Sequence, residues 1–295
     1  MNPELIGKKV KELRMSAGYS QKELAEGICT QAQISKIEKG TVFPMANTLF
    51  LISKKVGVDP NYFFDIGTTT KLDEIQKVKQ DISFLKRNLR YKEIDKILQK
   101  ELRNPLFREN SVNYQYLLWH VGVVQCEVLK DPVGAKRTME KAFKLTPVDK
   151  IWSEQQIEIA LSIGSVNSTM GEYEKALDLY TLTKEEIDKK ALITNSLIHS
   201  RYCYSIARIY TRLRDYKRSI RHCEEGIEYC IQQQSQAFFG EFHYQIGYNY
   251  ELMEMWAQSD KFYREAVSIF RHHRFTMYDP FLEEKLKLVK SNLIT

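Results

Sequence analysis

The chain has 295 residues and a net charge of +6, and it combines abundant Tyr and Phe with only 13 glycines and 7 prolines. This excludes a disordered or collagen-like chain and predicts an all-α protein with short connections. There is no signal-like N-terminus and no apolar run near the about 18 residues that span a bilayer, which predicts a cytoplasmic protein without membrane association. The five cysteines form no Cys-x-x-Cys pair and none sits at metal-ligand spacing with a histidine, so free thiols and no cofactor are expected.

The first 65 residues read as a five-helix domain. Leu5, Ile6, Val10 and Leu13 recur at helical spacing. Ser20, with Glu23 three residues on, forms a capping box for a second helix whose face carries Leu24, Ala25 and Ile28. Thr30 caps a third helix that begins at Gln31, points Ile34 and Ile37 inward and ends near Gly40. The turn between the two is expected to use Cys29-Thr30 in place of a glycine. Two short helices with facing apolar stripes cannot stand alone and must cross a third, which is the helix-turn-helix arrangement. After Pro44, an apolar helix carries Leu49, Phe50, Ile52 and Val56. Asp59-Pro60 opens a last turn, with Tyr62, Phe63 and Phe64 expected toward the core.

Nine Lys/Arg against seven Asp/Glu in this segment give it little bulk charge, so binding to double-stranded DNA rests on the motif. Gln31 and Gln33 are exposed by helical phase, and glutamine grips adenine through two hydrogen bonds in the major groove. Lys36 lies one turn on and can reach guanine or phosphate. Gln21 and the helix N-terminus at Thr30 are placed for phosphate oxygens.

Residues 65–70 (Asp-Ile-Gly-Thr-Thr-Thr) read as a break and hinge. After it, Ile75, Val78, Ile82, Leu85 and Leu89 form a heptad-like seam. This linker, residues 66–89, is expected either to pack as the first solenoid helix or to pair with a second protomer.

From residue 90 to the end the chain repeats. Anchors at Tyr91, Pro132, Tyr173, Tyr216 and Trp256 lie 41, 41, 43 and 40 residues apart. Small residues follow the last four (Ala135, Ala176, Ser219, Ser259), and others lie seven further on (Ala142, Gly226, Ala266). Two-helix units of this length make an α-solenoid of about five hairpins, and the segment from Phe281 to Leu293 reads as its capping helix. The groove of such a stack is lined by the first helix of each pair. Counting back from the anchors gives Arg201, Ser205, Arg208 and Arg212 in the fourth pair, Glu158, Ser162, Ser165 and Thr169 in the third, and Glu241, Gln245, Tyr248 and Leu252 in the fifth. Arginines beside hydroxyl, amide and aromatic groups suit an extended peptide. The six histidines have no catalytic partners in sequence, so an enzyme is not expected.

Gln21, Leu24, Ala25, Ile34, Ser35, Ile37, Glu38 and Gly40 carry a resemblance to the Xre/Cro-type helix-turn-helix family. Gly171, Tyr173, Ala176 and Tyr180, with Ala135, Met139, Ala142 and Pro147, resemble tetratricopeptide (TPR) repeats. Together with Arg90-Tyr91-Lys92-Glu93-Ile94 and His243-Tyr244-Gln245, the whole chain resembles the peptide-pheromone regulators of Gram-positive bacteria, and within them the PlcR subgroup. That resemblance implies a cytoplasmic homodimeric transcription activator on a palindromic operator, controlled in quorum sensing by a short signalling peptide in the TPR groove. It also implies peptide-backbone contacts from two asparagines, which correspond here to Ser162 and Ser205, and from a glutamine retained as Gln245. The alternative is a DNA-binding regulator whose repeats bind a protein partner or another signal.

Overall fold

The computed structural model describes residues 2–68, 72–148, 150–273, 275 and 278–293. The chain divides into two compact units, Met1–Asp81 with Asn104–Asn110, and Ile82–Arg103 with Ser111–Thr295.

The first unit opens with α1 (Pro3–Ser16), α2 (Gln21–Ala25), α3 (Gln31–Glu38), α4 (Ala46–Val56) and α5 (Pro60–Thr68). Local sequence sets their starts. The Asn2 side chain accepts from the Glu4 and Leu5 amides at the head of α1, both halves of the Ser20–Glu23 capping box form, and Thr30 Oγ1 accepts from the Gln33 amide. Ile6, Val10, Leu24, Ile34, Ile37, Leu49, Ile52 and Phe63 are wholly buried together. Eight such side chains at roughly 1.5–3 kcal/mol each are the dominant force holding five short helices that could not persist alone.

Three expectations change here. α2 stops at Ala25, and the turn does contain a glycine, Gly27 at φ +76°, where an L side chain would be strained. Of the three aromatics on α5 only Phe63 is buried; Tyr62 is half-buried and Phe64 exposed. The expected break at 65–70 is helical as far as Thr68, the end of α5, because no proline stops the helix; residues 69–71 lie outside the described residues.

α6 (Leu72–Arg87) buries Ile75, Ile82 and Leu85 within the chain. Leu89, expected on the same seam, lies beyond the helix end at φ 55° and is exposed.

The second unit continues with α7 (Tyr91–Glu101), beyond which the short α8 (Pro105–Arg108) belongs to the first unit, and then with four hairpins. These are α9 (Ser111–Glu127) with α10 (Pro132–Phe143), α11 (Glu154–Thr169) with α12 (Tyr173–Asp188), α13 (Leu197–Arg212) with α14 (Tyr216–Gln232), and α15 (Phe239–Leu252) with α16 (Trp256–His272). α17 (Asp279–Leu293) caps α16 through Leu282 and Val289.

Every anchor residue is the first residue of its helix, α7, α10, α12, α14 or α16. Two residues before each, the backbone turns through the left-handed region at Leu89, Lys130, Gly171, Arg214 and Glu254. Only one of these five is glycine, so the turn is imposed by packing and not by local preference. The small residues do what their spacing predicted: Ala135, Ala176, Ser219, Ser259, Ala142 and Ala266 are fully buried where helices meet. Helices also approach closely at Gly164 and Gly226, where a Cβ would lie 2.2 Å from the Tyr180 and Phe242 rings.

Candidate functional site

On the first unit, α3 presents Gln31, Gln33 and Lys36 to solvent while Ile34 and Ile37 hold its other face to the core. The helix is locked by a buried ion pair. Arg14 of α1 donates through Nε and Nη2 to Glu38 at 2.6 and 3.1 Å, and through Nη1 to the Tyr19 carbonyl at 2.7 Å. The bond to Glu38 raises the Arg14 pKa. Glu38 passes this order outward: Gln21 Nε2 donates to its carboxylate at 2.8 Å, and Gln31 Nε2 donates to Gln21 Oε1 at 2.7 Å. Gln21 is therefore hydrogen-bonded at both ends of its amide and braces Gln31, while the second Nε2 hydrogen leaves the expected phosphate contact chemically open. Thr30 Oγ1 accepts from the Gln33 amide at the helix cap, which leaves its O–H as a donor. The network leaves Gln33 and Lys36 as the unconstrained polar edge of α3.

On the second unit, α9, α11, α13 and α15 lie side by side and form one continuous face. Charges from both ends of the stack are felt together on it. Burial raises the pKa of Glu241 on α15, and Arg87 at the end of α6 pulls it back down. Arg201 on α13 likewise acts on Tyr91 of α7, whose hydroxyl burial pushes up to about 12. This is the face that the repeat pattern assigns to the groove.

The groove's centre is a polar knot around Ser162. Its hydroxyl donates to the Glu158 carbonyl at 3.0 Å and accepts from Trp119 Nε1 and Arg201 Nη2, both at 2.7 Å. Arg201 Nη1 is paired with the Glu158 carboxylate, which also accepts from Asn195 Nδ2 at 3.1 Å. Burial lowers the Arg201 pKa to about 10, so the guanidinium stays charged at neutral pH. Lys86, at the end of α6, holds its ammonium 4.5 Å from the Trp119 ring centroid. Burial, then the Arg201 charge, keeps its pKa well below the usual range.

The predicted groove residues separate into two groups. Arg201, Ser205, Arg208, Ser165 and Tyr248 are at least partly exposed. Ser205 acts to lower the pKa of the buried Tyr180 hydroxyl, which burial raises, Arg208 lies 5.8 Å over Tyr204, and Tyr248 stacks on Tyr244 under the Lys285 ammonium. Ser165 is half-buried in α11, and Arg212 is exposed in the last turn of α13. Ser162 and Gln245, however, are each 4 % exposed. Gln245 Nε2 donates to Thr211 Oγ1 at 2.7 Å, inside a buried network that continues through Asn249 and Ser219. Helical phase gave the right face for these two but not the depth at which each side chain ends. Lys86, Trp119 and His120 were missed because they lie on helices outside the counted stripes.

Among the described residues no group of three His, Cys, Asp or Glu could hold a metal ion, and no helix is long and apolar enough to cross a membrane.

Comparison with known proteins places both units. A helix-turn-helix family model matches residues 10–63, and the model of the RNPP family C-terminal domain matches residues 79–289. No curated protein sequence matches. Among solved structures, the chain is similar to Bacillus thuringiensis PlcR in complex with the peptide PapR7 and DNA, at 25% identity and a TM-score of 0.86, over 95% of this chain and 99% of that one. ComR from S. thermophilus, in complex with DNA and its signalling peptide ComS, shares the fold at 16% identity and a TM-score of 0.61, over 97% and 99% of the two chains. The Streptococcus dysgalactiae SHP pheromone receptor Rgg2 does so at 15% identity and 0.59, again over 97% and 99%. With a family model covering most of its length, the chain belongs to the RNPP family.

Proposed function

We propose that this chain is a cytoplasmic, homodimeric transcription activator that binds a palindromic DNA operator through α3 and is controlled by a short signalling peptide held in the groove of its repeats. The observation that carries this reading is the likeness along 95% of the chain to a structure that contains both peptide and DNA. The local geometry agrees. Gln31 and Gln33 offer the amides that read adenine, Lys36 offers a charge for phosphate or guanine, and the Arg14–Glu38–Gln21 relay fixes the helix that carries them. The groove offers partly exposed arginines, a serine and tyrosines to an extended chain. Control requires that the peptide bind one state of the protein more tightly than another, since equal affinity shifts nothing.

The test has two parts. Duplexes are selected from a random pool by the purified protein, and a thermal-shift screen is run with short peptides encoded beside the gene. Replacing Gln31, Gln33 and Lys36 together by alanine abolishes discrimination among duplexes. Lys36→Ala alone lowers the slope of log affinity against log salt by about 1. Undiminished selectivity in the triple variant removes α3 as the reader. Absence of any stabilising peptide removes the groove as a peptide receptor.

A further inference from the structure

The tip of the α13–α14 hairpin concentrates positive charge on one face. Arg214, Lys217, Arg218 and Arg221 follow at spacings of three, one and three, so they form a single stripe along α14 and its entry turn. All four are exposed. Asp215 is the one acidic residue in the stretch. It caps α14 by accepting from the Arg218 amide at 3.1 Å, and it pairs with the Arg218 guanidinium at 3.3 Å. Arg214, Lys217 and Arg221 have no ion-pair partner among the described residues. Arg218 also lies 5.6 Å from the Tyr210 ring centroid, and Tyr210 stacks on His222.

The same stretch of the two adjacent hairpins has the opposite sign. It holds Lys175 against Glu172, Glu174 and Asp178 on one side, and Lys261 against Glu254 and Asp260 on the other. The stripe therefore belongs to this hairpin and not to the repeat as such. Like charges at these spacings repel, and an external polyanion relieves the repulsion. The first unit, by contrast, offsets nine Lys/Arg with seven Asp/Glu over residues 1–65, although much of the affinity for duplex DNA comes from cations set against phosphates.

We propose that this stripe is a second DNA-contacting surface, at which Arg214, Lys217, Arg218 and Arg221 neutralise phosphates of the duplex beyond the bases that α3 reads. This rests on the DNA-binding reading above and assigns part of that affinity to the repeats. The stripe extends about 10 Å along the helix, long enough to face more than one phosphate of a strand. Each arginine offers a planar fork to a phosphate and the lysine a point charge. Such contacts carry no base information, so they add affinity and salt dependence without changing which sequence is chosen.

The test uses the full chain and a duplex selected from the random pool. The duplex is prepared as the minimal operator and with flanks of about one and about two helical turns. Affinity is measured across a salt series. At low salt the flanks raise the affinity of the parent by at least about tenfold and steepen its salt dependence. Arg214→Gln/Lys217→Gln/Arg221→Gln strands no partner and leaves the groove residue Arg212 in place. In this variant the gain falls to about twofold or less, and the slope of log affinity against log salt on the flanked duplex drops by about 2–3. Its affinity for the minimal operator and its base preference are unchanged, which also shows that it is folded. Flanks that add nothing, or a gain that survives in the triple variant, overturn the assignment of the stripe to DNA and leave the DNA-binding reading standing. An equal loss on the minimal operator overturns it too. Selection of no duplex at all removes the DNA-binding reading itself, and this surface with it.

Discussion

Glu38 is the residue on which presentation of α3 turns. Its side chain is 3% exposed and that of Arg14 11%, and together they join the first helix of the domain to the last residue of α3. Removing one member of such a pair strands the other charge in a dry environment, at a cost of about 3–5 kcal/mol. A domain of this size has a total stability of roughly 3–9 kcal/mol, so Glu38→Ala consumes most of it. The repeats share no part of this ion pair. Hydrogen exchange followed by mass spectrometry reads both units in one experiment. In Glu38→Ala the core amides of α1 and α3 exchange roughly 10²–10⁴ times faster, and those of α11 to α16 are unchanged. The double variant Arg14→Met/Glu38→Leu removes both charges and keeps apolar volume, and it restores protection to within about 1 kcal/mol of the parent. It does not restore selective DNA binding, because Gln21 has lost the carboxylate that orients it toward Gln31. A cost below about 1 kcal/mol for Glu38→Ala, or a double variant as damaged as the single one, would show that the ion pair does not hold α3.

Three further outcomes follow from the repeats. Lys130→Gly relieves a left-handed side chain at an exposed hairpin turn and raises the stability of the second unit by about 0.5–1 kcal/mol in urea titration; a loss would show that the side chain itself contributes. Gly164→Ala drives a methyl into the buried Tyr180 ring and lowers stability in the same assay by about 1–3 kcal/mol. Burial, then the Lys86 charge, holds the His120 pKa well below 6.5. Below pH 6.5 the unfolded chain therefore takes up a proton that the native chain refuses, and this residue's contribution falls by about 1.4 kcal/mol per pH unit until the depressed native value is reached. Half-buried His199, shifted in the same direction by burial, adds to the slope. Denaturant titrations at pH 7.5 and 5.5 measure the loss, and His120→Gln removes its own share.

Much of this molecule is written locally in the sequence. The caps at Ser20 and Thr30, the apolar phase of α3 and all five repeat anchors follow from short-range patterns, and each falls where helix physics puts it. What escaped is what depends on distant residues. Gly27 was read as part of a helix because Ile28 continued the apolar phase, yet it is where α2 has already ended. Four of the five left-handed turns ahead of the anchors hide behind Leu, Lys, Arg and Glu, which carry no left-handed preference of their own. Gln245 has the phase of a groove residue, but Thr211, 34 positions earlier, draws its amide into the wall. Trp119 joins the groove only because Ser162, 43 residues on, takes its indole N–H; no periodicity signals that contact.

Control by a peptide requires coupling between groove and operator. The measurement is a closed cycle: the Kd of a selected duplex with and without the most stabilising peptide of the screen, and the Kd of that peptide with and without the duplex, all at one physiological salt concentration. Coupling predicts the same factor on both sides of the cycle, between about 5 and 150. A factor of one on both sides would mean that the groove does not control DNA binding.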